Sequence, residues 1–358
     1  MADTEDFAPD DRPLRRGWTT GACATAATKS ALRALLGRHF EDPVTITLPG
    51  GQMPTFALAH EASGDGFAEA GIVKDAGDDP DVTHGALVLA RVAAGAAGSG
   101  VTFHAGDGVG MVTKPGLPIA PGEPAINPVP RKMMREVVEA VAADHGVAPD
   151  FSITVSVRDG AKLAEKTWNP RLGIVGGLSI LGTTGIVIPY SCAAWIASIQ
   201  RGVDVARAVG LTHVVGATGD LSERAARARL GLAEEAYLDM GDFVGGLLKY
   251  LRRHSVERVT IAGGFAKMAK LAQGAMDLHS ARGTVDFAML AELLPTELRE
   301  RALAANTANE VLGLAGDLPL AARIAEKARD AAQAIVGDAA RVDVLVVDRA
   351  GKIVGESG

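Results

Sequence analysis

The stretch that most constrains this chain runs from Trp168 to Ser191, WNPRLGIVGGLSILGTTGIVIPYS. No charged side chain occurs between Arg171 and Arg201, and Gly173, Gly176, Gly177, Gly182 and Gly185 punctuate apolar residues. Glycine permits positive φ and lets a second backbone or a ligand approach closely. About twenty apolar residues suffice to span a bilayer. The glycines, the Thr183-Thr184 pair and Pro189 fit a folded, ligand-facing loop better. The segment also divides the chain: short strands and glycine turns precede it, and helices alternating with apolar strands follow it.

The 358 residues suggest two domains and a sizeable core. Glycine is abundant, 43 residues without a collagen period, which points to tight turns or ligand loops. A net charge of −7 and a pI near 5.7 argue against a nucleic-acid surface. Two cysteines, Cys23 and Cys192, make no disulfide framework and fit a reducing compartment. The acidic N-terminus lacks the signature of a signal peptide, so residues 1–13 read as a disordered tail and cytoplasm is expected.

In chain order, the alanines and leucines of residues 22–36 predict a helix with Thr19 or Thr20 as its N-cap. Such a helix start can also bind an anion. Strands are expected at 44–48, 55–59, 67–74, 101–104 and 151–157, with a further apolar element at 86–93. Between them, KDAGDDPDVTHG (74–85) gathers Asp75, Asp78, Asp79 and Asp81 just before His84. That spacing is not an EF-hand. It reads either as a solvated acidic turn or as a substrate-facing loop with Asp or His as acid or base. Pro124, Pro128 and Pro130 stiffen a loop, and Pro130 is suited to open a helix that ends at Gly146. Residues 14–167 thus read as an α+β domain.

Beyond the glycine-rich segment, helices are expected at 191–209, near 221–230, at 241–254, at 266–273 and across most of 287–336. Strands are expected at 212–215, 236–238, 258–262 and 342–347, the last closing the sheet. This alternation predicts a Rossmann-like α/β domain with a mostly parallel sheet. Residues 168–358 are therefore read as a glycine-rich linker segment plus that domain. Ligands bind beyond the carboxyl ends of parallel strands. Gly216, Thr218 and Gly219 fall there, as do Gly263 and Gly264, and Asp239 ends the next strand 20 residues after Gly219. Together they predict a pocket for a nucleoside-containing cofactor, against the alternative of tight turns without a ligand. The cysteines read as small buried hydrophobes rather than nucleophiles, and no Cys/His spacing suggests a metal site.

The motifs GWTTGACATAATKSAL, KDAGDDPDVTHG, GDGVGMVTKPGL, GEPAINPVPR and WNPRLGIVGGLSILGTTGIVIPYS resemble those of the CbiD family, the cobalt-precorrin-5B C-1 methyltransferases of cobalamin biosynthesis. The resemblance runs from about Leu14 to the last strand. It implies a two-domain α+β protein, S-adenosylmethionine as methyl donor, and cobalt-precorrin-6A as product. The macrocycle carries acetate and propionate carboxylates. Arg15, Arg16, Lys74, Lys114, Arg131 and Arg171 flank the motif loops and are candidate carboxylate clamps, each with a solvated surface charge as the alternative. Thr19, Thr20, Thr183 and Thr184 offer further anion sites.

On this reading residues 14–167 form the substrate side and residues 168–358 the cofactor side. The tetrapyrrole is expected in a cleft between the domains, against residues 74–85, 106–131 and 168–191. Should a proton have to leave the ring, His84, Asp75 and His104 are the candidate bases. The other partner expectations are no nucleic acid, no membrane and no metal held by the protein; a homo-oligomer is compatible with the sequence. An NAD(P)-dependent reductase and a non-catalytic tetrapyrrole carrier remain the alternatives.

Overall fold

The computed structural model describes residues 13–37 and 39–358. The expected tail at 1–13 lies outside them except for Pro13. Two compact units emerge, one from the chain up to Lys114 together with Pro118–Ser191, the other from Pro115–Leu117 together with Cys192–Gly358.

The first unit is built around one apolar helix. Strand β1 (Gly17–Trp18) leads into α1 (Thr20–Gly37), whose alanines and threonines are buried almost along its whole length. The charges of its first half are absent from the sequence, so the helix can be enclosed on every side. Short strands β2 (Val44–Thr45) and β3 (Thr55–Phe56) pair only with each other, which is why the longer strands expected there shrink to two residues each. A main sheet follows, made of β4 (His60–Gly64), β5 (Phe67–Val73), β6 (Leu87–Ala94) and β7 (Val101–Ala105). After β8 (Met111–Val112) and helix α2 (Pro128–Asp144) it is completed by β9 (Phe151–Val157). Its order is β4-β5-β6-β9-β7, antiparallel except for the parallel β7–β9 pair. Strand β4 was not expected, because HEASG is polar and sits on the sheet edge. Its place is set by its pairing with β5 and not by its own propensity. Helix α3 (Gly160–Ala164) and strands β10 (Ile174–Val175) and β11 (Ile186–Val187) complete the unit. β10 pairs with β8 and β11 with β1.

The glycine-rich run therefore belongs to the first unit, and the boundary expected after residue 167 falls between Ser191 and Cys192. The reason is hydrogen bonding. Gly110 N–H donates to Leu178 O (2.8 Å), Leu178 N–H to Gly108 O (2.9 Å) and Thr19 N–H to Gly185 O (3.0 Å). A segment whose backbone groups are satisfied by its predecessors is part of their fold.

The second unit opens with α4 (Cys192–Ala208), followed by β12 (His213–Ala217), α5 (Asp220–Leu230), β13 (Tyr237–Asp239), α6 (Val244–Leu251), β14 (Arg258–Gly264) and α7 (Phe265–Ala272). Helices α8 (Phe287–Glu292), α9 (Thr296–Leu303), α10 (Ala308–Ala315) and α11 (Leu320–Val336) precede β15 (Arg341–Val347) and β16 (Ile353–Ser357). The sheet order is β13-β12-β14-β15-β16, parallel apart from β16. An antiparallel edge strand closes the sheet, not the expected 342–347. Successive side chains of a strand face opposite sides. Val214, Ile261 and Val344 enter one apolar core, while Val215, Ala262 and Leu345 enter a second. Both faces of this sheet are thus covered. Among the described residues no helix is long and apolar enough to cross a membrane.

Candidate functional site

Four distant motif stretches meet in the first unit. Trp18 N–H donates to Asp75 O (2.7 Å), and Asp78 N–H to Arg15 O (2.9 Å). Gly21 N–H donates to Leu181 O and Asn127 N–H to Ile180 O (3.0 and 2.9 Å). Two glycine contacts make this possible. A methyl group on Gly17 would overlap the Ala76 peptide, and one on Gly177 would overlap the carbonyl of Gly108. Only glycine allows backbones this close.

The aspartates of residues 74–85 are neither a solvated turn nor a free acid–base set. The Arg15 guanidinium pairs with Asp75, and Arg15 N–H donates to Asp78 Oδ2 (2.6 Å). Asp79 Oδ1 accepts from Tyr190 N–H (2.8 Å). Lys74, only 1 % exposed, donates through Nζ to Asp81 Oδ2 (2.7 Å). Asp81 Oδ1 accepts from Thr83 N–H and hydroxyl (2.7 and 2.6 Å). Burial alone would raise the Asp81 carboxyl; the charge and hydrogen bond of Lys74, with those of Thr83, outweigh it and hold it below its usual range. Each carboxylate closes part of the loop.

This changes the expected roles. Arg15, through its hydrogen bond and then Gly77 N–H, holds the Asp75 carboxyl down at about 2. That is too weak a base for proton removal near neutral pH. His84 Nδ1 accepts from Ala76 N–H (3.1 Å). Its neutral ring therefore carries hydrogen on Nε2 and presents a donor, not a base. His104 lies exposed on β7, 3.4 Å from its neighbour Thr102 Oγ1. Lys74 and Arg15 are both occupied by aspartates of the 74–85 loop. Arg131 ties the proline loop to α2, donating to Ile126 O (2.8 Å), Pro124 O (3.0 Å) and Glu123 Oε2 (3.1 Å).

Thr19 Oγ1 caps α1 by accepting from Ala22 N–H (3.2 Å), as expected of a cap. The Thr20 hydroxyl accepts from Leu181 N–H (3.0 Å) and donates to Leu181 O (3.3 Å). Thr184 Oγ1 exchanges hydrogen bonds with the Ile186 backbone (3.2 Å each way), and Thr183 is exposed. Arg16 is exposed, Arg171 lies over the Trp168 ring (5.7 Å), and Lys114 runs beside Gly173. Leu181, Ile188 and Tyr190 expose apolar surface next to this weave. Tyr190 holds a positive φ of 54°, stabilised by the Asp79 bond.

In the second unit a cavity of about 410 Å³ opens beyond the carboxyl ends of β12, β14 and β15. The chain leaves β12 for β13 on one side and returns to β14 on the other. The cavity sits at that reversal, where parallel sheets bind ligands. Thr218 and Gly219 line it at the start of α5, Gly264 and Lys267 at the start of α7, and Asn309 and Arg349 from further along. Lys267 Nζ donates to Thr218 O (3.0 Å) and lies 3.0 Å from Asp242 Oδ1, so it ties the two helix starts together.

Of the residues expected here, Thr218, Gly219 and Gly264 line the cavity. Gly216 and Gly263 lie beneath it as packing positions: a methyl group on Gly216 would strike Leu247, and one on Gly263 would strike Met268 and Thr218. Asp239 ends β13, one strand away. Its Oδ1 accepts from Gly241 N–H (3.3 Å), its carbonyl accepts from Trp195 Nε1 (3.2 Å), and it does not line the cavity. Lys267, Asn309 and Arg349 escaped the sequence reading. Only Lys267 carried a signal, a cation in the first turn after Gly263-Gly264. Cys23 is fully buried, and burial pushes its thiol up to about 12; Cys192 is exposed.

A family model described as CbiD matches residues 8–189, and one described as the CbiD C-terminal domain matches residues 277–358. Proteins named cobalt-precorrin-5B C(1)-methyltransferase are 61% identical in Paramagnetospirillum magneticum, over 97% of this chain and 99% of that protein, and 61% identical in Rhodospirillum rubrum, over 99% and 100%. The one from Brucella anthropi is 58% identical over 95% of each. The crystal structure of a cobalamin biosynthesis protein from Archaeoglobus fulgidus is 27% identical, covering 75% of this chain and 83% of that one, with a TM-score of 0.40. On the two family-model matches and on relatives that align along nearly its entire length, the chain belongs to the CbiD family.

Proposed function

We propose that this protein transfers a methyl group from S-adenosylmethionine to C-1 of cobalt-precorrin-5B, giving cobalt-precorrin-6A in the building of the corrin ring. The observation that carries this is 61% identity over 97–99% of the chain to proteins named for that reaction. The names of these relatives lend no support to a reductase or a carrier. The second unit reads as Rossmann-like, and we assign the methyl donor to its cavity. At about 410 Å³ the cavity is within the range of small-molecule sites. Its donors fit an amino-acid carboxylate: backbone N–H groups at the starts of α5 and α7, with Lys267 beside them. When bound, the sulfonium supplies an electrophilic methyl group.

The macrocycle is assigned to the first unit, against residues 74–85, 106–114, 118–131 and 168–191. Exposed Leu181, Ile188 and Tyr190 offer it apolar contact. The chain's contribution is orientation, which can supply roughly 7–11 kcal/mol. The electron-rich ring is itself the nucleophile, so no covalent residue is required. The carboxylates of residues 74–85 hold the loop in shape.

Calorimetric titration with S-adenosylhomocysteine tests the donor site on wild type, Lys267→Met and Asp239→Ala. The expected result is micromolar binding, weakened about tenfold or more in Lys267→Met and retained in Asp239→Ala. The reverse pattern moves the donor to the β13 edge. Failure to convert cobalt-precorrin-5B into a product one methyl group heavier overturns the reaction.

A further inference from the structure

A second cavity, of about 370 Å³, opens at one end of the first unit's sheet. Val73 ends β5, Leu87 starts β6, and Arg158 follows β9 immediately. Leu163 of α3 and Ala59 complete an apolar wall. Three polar side chains line the space: His84, Arg158 and Asp159. The backbone fixes Arg158 there, since its N–H donates to Leu87 O (3.0 Å) and its neighbour Val157 pairs with Val88. Asp159 then turns the chain sharply at a φ of 58°.

What distinguishes this cavity is its donors. Most other cations of the motif loops are engaged: Arg15 with Asp75, Lys74 with Asp81, and Arg131 with Glu123 and two carbonyls. Arg158 has no side-chain partner among the described residues. His84 has its Nδ1 bound to Ala76 N–H, which leaves its Nε2–H without a partner among the described residues. An arginine fork and a neutral N–H beside an apolar wall suit a carboxylate on a short methylene arm. Asp159 lines the same space and opposes an anion, so affinity here is a balance between Arg158 and Asp159. Asp75 faces His84 at Nδ1 (3.9 Å) and is held by Arg15.

We propose that this cavity seats one acetate or propionate arm of the substrate, with Arg158 and His84 Nε2–H as the donors and Asp159 limiting the affinity. The proposal rests on the assignment of a tetrapyrrole substrate to the first unit. It adds Arg158 as a specificity residue and makes His84 a substrate-binding donor.

The test uses the full-length protein and uroporphyrin, a tetrapyrrole with acetate and propionate arms, followed by fluorescence quenching. Arg158→Gln is expected to weaken uroporphyrin about tenfold, with partial recovery in Arg158→Lys. Asp159→Asn is expected to tighten it by a few-fold. With cobalt-precorrin-5B the same changes are expected in KM, with kcat nearly constant and S-adenosylhomocysteine affinity unchanged. Both side chains are exposed, so the variants are expected to keep the wild-type melting profile. Should one lose it, the opposite shift in the other decides. Wild-type affinity and KM in both Arg158→Gln and Asp159→Asn overturn the subsite while leaving methyl transfer intact. Absence of methyl transfer by the wild-type enzyme removes the function itself, a distinct result.

Discussion

The two candidate sites, one in each unit, use glycine at their rims in opposite ways. In the first, Gly17, Gly108 and Gly177 lie where two backbones touch, and the motif loops are hydrogen bonded to one another. In the second, Gly219 and Gly264 lie at strand ends, with no neighbour close to the missing side chain. The first unit's candidate site is therefore also its fold: altering a loop there disturbs its partners. The second unit carries its cavity on the end of a sheet whose core lies elsewhere, so its lining can change while the scaffold stands.

The largest expected effect breaks the first kind of glycine. Gly108 has a φ of 75°, and a methyl group on it would collide with the Val157 carbonyl. Gly108→Ala should cost about 2–5 kcal/mol, combining left-handed strain with overpacking. Gly264 has a φ of −65°, and the nearest atom to an added methyl is Val347 O at 4.0 Å. Gly264→Ala should change stability by no more than about 0.5 kcal/mol while altering donor affinity. Scanning calorimetry on both variants checks the contrast, and equal losses would refute it.

A smaller effect is expected at Lys74. Its ammonium is buried, while its partner Asp81 is partly exposed. Lys74→Met keeps the length of the side chain and removes a charged hydrogen bond, at about 2 kcal/mol. The shift of the urea midpoint measures it. A neutral or stabilising outcome would mean that apolar filling suffices here and that the loop's ion pair is dispensable.

The smallest effect is the acid response of Asp75. Its folded carboxyl is held at about 2 by Arg15 and Gly77 N–H, below an unfolded value near 3.9. Its contribution is thus fully present above about pH 4 and lost as pH falls through about 2. The pair is exposed and screened, so the contribution is modest. Asp75→Asn lacks it. The gap in urea midpoint between wild type and variant should narrow from about pH 6 to about pH 3. A gap that is constant with pH would assign the role of Asp75 to shape alone.

Helix α1, strand β9 and the strand–helix alternation after residue 211 were legible because their signals are local: alanine runs, strict alternation, and apolar strands ending in glycine. Residues Thr218, Gly219 and Gly264 were legible for the same reason, since a glycine turn after a parallel strand has a known position. The acidic loop was not. Asp75, Asp79 and Asp81 look alike in sequence, yet one meets Arg15, one the Tyr190 backbone and one a buried lysine. Nor did Asp239 differ in spacing from a ribose-binding carboxylate. Its place on β13, away from the cavity, follows from strand order.

Residues alone carried the family, the two-part organisation and most element positions, because these follow from short-range propensity and from long motifs. The membership of residues 168–191 in the first unit, the cations left available and the tautomer of His84 came instead from long-range packing. These depend on partners more than 160 residues apart along the chain, as with Thr20 and Leu181. No local pattern encodes such a pairing; it is set where two backbones are brought within hydrogen-bonding distance.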